Sequence, residues 1–412
     1  MRCPCSSPPP ENPIMHRLML SLGLLAIVSP LFAADPPADP AAAKRQPTDF
    51  AIVFNMGYAG DNLPKEKDEY EKLVKSLKAA NFNVILGQYE PWRLEILKKY
   101  DMKLFVDLLV SDHHVYKNEA AAKKLCESLK GNETIYGYHI WSDNITKNIV
   151  AGRSRDCKNV HEWDPTHPVY VGTKTMAGIS GVEGEDIFGY YDFHWKRGGH
   201  WSHLSKAANL ARTKKLPFLR YDDATSGIVG KGNSNRVGYT YATSIPFGLK
   251  GFIYHYAGGI VDNKTWELDA LGKDQQIVNG KLAAAGPEIM KIGAPIKVYS
   301  STVSTSEKND KLEGDPKIPG GLAAVPADHW FQIKQGEVLV GQFADAEKRD
   351  VLVFATHNPY ASQTVTLTFP NGVKSAEAFN RKTKKWEDLK VTEKSVTFGV
   401  EEAAVDLVRF AR

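Results

Sequence analysis

Between Asp49 and about Ile296 the chain repeats one pattern eight times: a short apolar run, then a polar or amphipathic stretch. The runs are Phe50–Met56, Phe82–Gln88, Met102–Val110, the stretch ending GYHIWSDNI, Pro168–Lys174, Ile187–Trp195, Leu216–Asp223 and Gly251–Tyr256. Helical spacing appears between them, as in Leu63–Ala80, where Tyr70, Leu73, Val74 and Leu77 share one face. Strands that alternate with helices pair in parallel through right-handed crossovers. Eight such units in about 250 residues predict a (β/α)8 barrel. A doubly wound sheet is the runner-up, but no glycine-rich phosphate loop follows the first strand.

From Lys297 the period changes. EVLVGQF, DVLVFATHN, QTVTLTF, VKSAEAFN, KWEDLKV, KSVTFGV and VDLVRFA are short, alternating and separated by turn residues. They predict a C-terminal antiparallel β-sandwich over 297–412, with GDPKIPGG, Gly314 to Gly321, as a long loop.

The run Met15 to Ala33 has a basic start at His16 and Arg17, an apolar core from Leu18 to Val28, and small residues after Pro30. That layout predicts a cleaved signal peptide, with translation starting at Met15 and a mature chain beginning near Ala34. Residues 34–48, rich in Pro and Ala, read as a flexible leader before a barrel over 49–296. The expected location is therefore secreted or periplasmic, and no segment is long enough for a stable membrane span. With a net charge of +4 and no Lys/Arg run beside aromatics, nucleic acid is excluded as a partner. There is no CxxC and no HExxH, and neither a metal nor a cofactor is expected. Cys126 and Cys157 lie beyond the leader; they either pair or remain buried thiols.

In such a barrel the active site lies at the C-terminal ends of the strands. The polar residues there are Asn55, Gln88, Glu90, Asp107, Asp112, His113, His114, Asp143, Lys174, Asp192, His194, Asp222, Asp223 and His255. Trp92, Trp141, Trp195, Tyr221 and Tyr254 stand beside them, which makes a lined cleft. Adjacent histidines point to opposite sides of a strand, which argues against Asp112-His113-His114 as a metal site.

IYGYHIWSDN, RVGYTYATSIPFGLKGFIYHY, NGKLAAAGPEIMKIGAPI and VGQFADAEKRDVLVFATHN together resemble secreted glycoside hydrolases of the large retaining (β/α)8 clan that carry a C-terminal β-sandwich. The resemblance implies a glycosidic bond cleaved by a carboxylate pair, with an oligo- or polysaccharide as partner. It places Asp143 where the clan carries its general acid/base Glu, and RYDD, with Asp222 and Asp223, near its nucleophile. Asp for Glu withdraws each carboxyl by about 1.5 Å. Retaining chemistry needs the pair roughly 5–5.5 Å apart and inverting chemistry roughly 6.5–9.5 Å. A catalytically inactive sugar-binding barrel is the alternative.

Strand alternation puts His139, Trp141 and Asp143 on one face. The expectation is a general acid at Asp143, its pKa raised by a partly apolar wall, against the competing reading of Asp143 as a helix cap. For the partner, Arg220 is expected in the barrel lumen, and Asp222 on its face is preferred to Asp223, unless Asp222 merely pairs with Arg220. Asn55, Gln88, Glu90, Asp107, His113, Trp141, Asp192, His194, Trp195, Tyr221, Tyr254 and His255 are expected to bind substrate; His194 and His255 also read as core histidines.

Overall fold

A computed structural model describes residues 45–56, 62–110, 113–114, 118–174, 176, 178–191, 200–223, 234–255, 259–301 and 322–412, with the side chains of 109, 110, 113, 114, 222, 223, 234 and 236 outside the description. The expected signal peptide, most of the leader, the 314–321 loop, Asp112, Asp192, His194 and Trp195 fall outside it.

The eight apolar runs form eight parallel strands: β1 Ala51–Phe54, β2 Val84–Gly87, β3 Lys103–Val110, β5 Ile135–Ser142, β6 Val169–Thr173, β7 Ile187–Tyr191, β8 Phe218–Asp223 and β9 Leu249–His255. Their order is β2-β1-β9-β8-β7-β6-β5-β3, and pairing of β2 with β3 closes the barrel. A two-residue strand, β4 (His113–His114), pairs antiparallel with the end of β3.

Helices α1 (Lys67–Ala79), α2 (Pro91–Lys99), α3 (Glu119–Leu129), α4 (Lys147–Trp163), α5 (His200–Lys214), α6 (Ser234–Ser244) and α7 (Ala270–Lys291) cover the outside. Each buries the stripe its period supplies: in α1, Tyr70, Leu73, Val74 and Leu77. Asn118 caps α3 by accepting from the Ala121 N–H, and Asp269 caps α7 from the Gly272 N–H. The described part of the β6–β7 connection holds a 3₁₀ turn, Ile179–Gly181.

Alternation along each strand separates two cores. Outward residues such as Ile52, Phe54, Ile85 and Leu104 pack on the helices. Inward residues such as Val53, Leu86, Phe105, Tyr170, Tyr221 and Ile253 fill the lumen. The Tyr170 ring crosses it against Gly189, where a Cβ would stand 2.2 Å from the tyrosine oxygen, so only glycine fits there.

The C-terminal strands form two antiparallel sheets. One has the order β10-β12-β13-β19-β15-β16, from β10 (Lys297–Ser300), β12 (Val338–Ala344), β13 (Asp350–Thr356), β19 (Asp406–Ala411), β15 (Ser375–Asn380) and β16 (Lys385–Leu389). The other is β11-β14-β18-β17, from β11 (Gln332–Gln335), β14 (Gln363–Thr368), β18 (Ser395–Val400) and β17 (Val391–Thr392). Val340, Leu352, Phe354, Leu367 and Phe398 fill the space between them.

β12 and β13 are buried on both faces, which simple alternation did not suggest. Their other face, with Leu339, Phe343, Val351 and Val353, joins the core of the barrel's helical layer. Cys126 and Cys157 are both buried free thiols, each in the helical layer. Among the described residues no helix is long and apolar enough to cross a membrane.

Candidate active site

Strand β5 is buried along its whole length and carries two bulky lumen residues, His139 and Trp141, before it ends. There Ser142 and Asp143 part company. Ser142 Oγ accepts from Arg153 Nε of α4 at 2.7 Å, behind the strand. Asp143 stays on the lumen side: its Oδ1 accepts from Trp141 Nε1 at 2.9 Å and its Oδ2 from Lys174 Nζ at 2.7 Å. It does not cap α4, whose cap position is Thr146. The reading of Asp143 as a helix cap is therefore excluded.

Asp143 and Lys174 keep 37% and 43% of their side-chain surface in water. Burial pushes the Asp143 carboxyl up, but the donors Lys174 and Trp141 outweigh it, and the group titrates below the ordinary carboxylate range. This corrects the expectation of a raised pKa. The carboxyl reaches past the aromatic wall to an ammonium and to solvent, so its charge is favoured. His255, at the end of β9, is close enough to feel both charges. Burial first, then Lys174, lowers its imidazole to about 4, with Asp143 opposing. At neutral pH the described part of the mouth thus holds a carboxylate and a neutral imidazole beside Lys174.

One layer down, Asp107 Oδ1 lies 2.8 Å from His139 Nδ1, and His139 Nε2 lies 2.5 Å from the Tyr221 hydroxyl. The three residues are 2%, 2% and 3% exposed. Asp107 is therefore committed to His139 beneath the mouth, and is not placed to touch a substrate. The His139 ring stacks on Tyr170 at 5.2 Å, Tyr221 sets its edge on Trp141 at 4.7 Å, and His255 lies 4.7 Å from Tyr191. Alternation along β5 exposed His139 as a lumen residue; its bridge to Tyr221, 82 positions away, had no signal in the sequence.

Asn55 is buried at the end of β1 on the face of Val53, and Gln88 is half-buried on the face of Leu86. Glu90 is exposed and precedes α2, whose Arg93 and Leu94 N–H groups its backbone carbonyl accepts while its side chain makes no cap bond. Tyr254 turns away from the lumen: its hydroxyl reaches Asn279 Oδ1 at 2.5 Å and Gln275 Oε1 at 3.3 Å, both on α7. A place for Tyr254 in the cleft is thus excluded, because an odd-numbered set, Ile253 and His255, faces inward on β9.

Arg220 also faces outward. It is fully buried between α5 and α6, with NH1 3.1 Å from His200 Nδ1 and 3.0 Å from Ser244 Oγ. His200 and Ser244 thus give the guanidinium polar partners in the helical layer, outside the lumen. The parity argument reverses: position 222 shares the face of Arg220, and position 223 that of the lumen residue Tyr221. The β8 backbone pairs Asp222 with Tyr254 and Asp223 with His255. His113 pairs with Val110 in β4, and its side chain lies outside the description, as do those of Asp222 and Asp223. Among the described residues no group of three His, Cys, Asp or Glu side chains could hold a metal ion.

No protein-family model and no curated protein matches the chain. Solved structures do. The α-amylase from Geobacillus thermoleovorans, complexed with acarbose, has a TM-score of 0.50 at 11% identity, covering 89% of this chain and 99% of the amylase. An Anoxybacillus α-amylase has a TM-score of 0.51 at 11% identity, over 88% and 98%. A glycoside hydrolase family 5 protein from Bacteroides vulgatus has a TM-score of 0.51 at 11% identity, over 88% and 89%. At such identity the likeness is one of architecture: this chain has the closed eight-stranded barrel and following antiparallel sheets found in these glycoside hydrolases.

Proposed function

We propose that the protein is an exported carbohydrate-active enzyme, a glycoside hydrolase, acting on an oligo- or polysaccharide at the C-terminal mouth of the barrel. The observation that carries this reading is the Asp143 carboxylate, partly in water above an aromatic lumen and held by Trp141 and Lys174. Fold likeness to glycoside hydrolases supports it.

Glycoside hydrolysis divides its work between one ionised and one protonated carboxyl. A carboxyl whose pKa is held down suits the ionised partner, the nucleophile or the base that activates water. We therefore assign that role to Asp143 rather than that of general acid. Asp223, on the lumen face of β8 and paired in register with the neutral His255, is assigned the proton donor, ahead of Asp222. Trp141 acts through its N–H, since its ring is almost wholly buried.

The test is a panel of aryl glycosides and polysaccharides with the purified chain, Asp143→Asn and Asp223→Asn. Each substitution should lower turnover by about 10³-fold or more, with saccharide binding retained. Turnover unchanged in Asp143→Asn overturns the assignment; binding without turnover in the unsubstituted chain leaves the sugar-binding alternative. N-terminal sequencing of protein from the native envelope tests export, and an intact 15–33 segment would end that part.

A further inference from the structure

The lumen contains a polar bridge that glycosidic chemistry does not itself require. Asp107 on β3 and His139 on β5 are register neighbours, whereas Tyr221 comes from β8. The chain Asp107–His139–Tyr221 therefore runs between two neighbouring strands and then across to β8. One tautomer gives every member of the chain a partner. In it Nδ1–H donates to Asp107 Oδ1, and Nε2 accepts the Tyr221 O–H. Burying a carboxylate at 2% exposure costs free energy unless every partner is in place. A barrel core of plain aliphatic residues would avoid that cost.

The Tyr221 ring held by this bridge lies edge-on to Trp141 at 4.7 Å, and the His139 ring runs parallel to the indole, 11° from coplanar at 6.3 Å. The same indole gives its N–H to Asp143. We propose that Asp107, His139 and Tyr221 are positioning residues: their hydrogen-bonded chain clamps the Trp141 indole so that its N–H stays on the Asp143 carboxylate. This rests on the reading of the mouth as the working site. The other charged or titratable side chains facing Asp143, among the described residues, are Lys174 and His255.

The experiment is a ¹³C NMR titration of the Asp143 carboxyl in the full chain, in Tyr221→Phe and in Tyr136→Phe. Tyr221→Phe keeps the ring and removes the bond to His139. Tyr136 is also a lumen tyrosine, and among the described residues its buried hydroxyl has no partner, so its loss removes no bond there. Tyr221→Phe should raise the Asp143 midpoint by about half a pH unit, the effect of a weakened donor. Tyr136→Phe should leave it unchanged. Equal shifts in both variants, or none in Tyr221→Phe, would overturn the proposal. If Tyr221→Phe does not fold, Asp107→Asn, which keeps the side-chain shape, reads the same midpoint with the same criterion. The titration needs no turnover, so a blank glycoside panel does not touch it. Conversely, an unmoved midpoint leaves the Asp143→Asn test standing.

Discussion

Trp141 donates its indole N–H to the carboxylate of Asp143, two residues further on and one past the end of β5, at 2.9 Å. Side chains two apart share a face where extended alternation carries on past the strand's last residue, so neighbours in sequence make this bond. Lys174 completes the clamp from the end of the neighbouring strand β6, where its backbone N–H also meets the Asp143 carbonyl at 3.3 Å. Both donors favour the ionised carboxyl.

Lys174→Met should therefore move the Asp143 midpoint upward, toward the ordinary carboxylate value, because one of the two donors and its charge disappear. If Asp143 works ionised, the acid limb of the pH–rate profile moves up with it. NMR titration and the profile check this together; an unmoved midpoint in Lys174→Met contradicts the clamp.

His255 should titrate near pH 4, read from its ring proton shifts. Its folded pKa lies below the unfolded value of about 6.5. Between the two the unfolded chain binds the extra proton. The stabilisation is thus complete above about 6.5 and is lost as pH falls toward about 4. His255→Gln should flatten the decline of stability across that window, measured by denaturant unfolding at several pH values.

Arg220→Ala should destabilise the fold by about 3 kcal/mol or more, from the cavity and from the stranded polar atoms of His200 and Ser244. Denaturant unfolding measures it. A variant as stable as the parent would show that the guanidinium does not tie β8 to α5 and α6.

Gly341 on β12 meets the barrel's Pro246 so closely that a Cβ would stand 2.3 Å from the proline carbonyl oxygen. Gly341→Ala should cost about 1–3 kcal/mol, because backbone on backbone cannot yield as a flexible side chain would. A thermal melt that does not shift would mean the sheet and the barrel part easily at this point.

The order of elements was legible in the chain alone. Eight apolar runs with helical spacing between them can bury their apolar faces only as a parallel sheet under helices, and period-two runs after Lys297 only as packed antiparallel sheets. The inward face of β5 was legible too, since His139, Trp141 and Asp143 are separated by twos. What the tertiary structure decided is how each polar side chain is satisfied. Arg220 and Tyr254 read as lumen residues from their neighbours in sequence, yet His200 and Ser244, and Asn279 and Gln275, draw them into the helical layer. Asp143 read as a carboxyl in an apolar wall, yet Lys174, 31 positions away, keeps it ionised. Periodicity records which face a residue occupies relative to its own strand. The partners that set its charge and its hydrogen bonds come from other strands and helices, and only the closed barrel brings them within 3 Å.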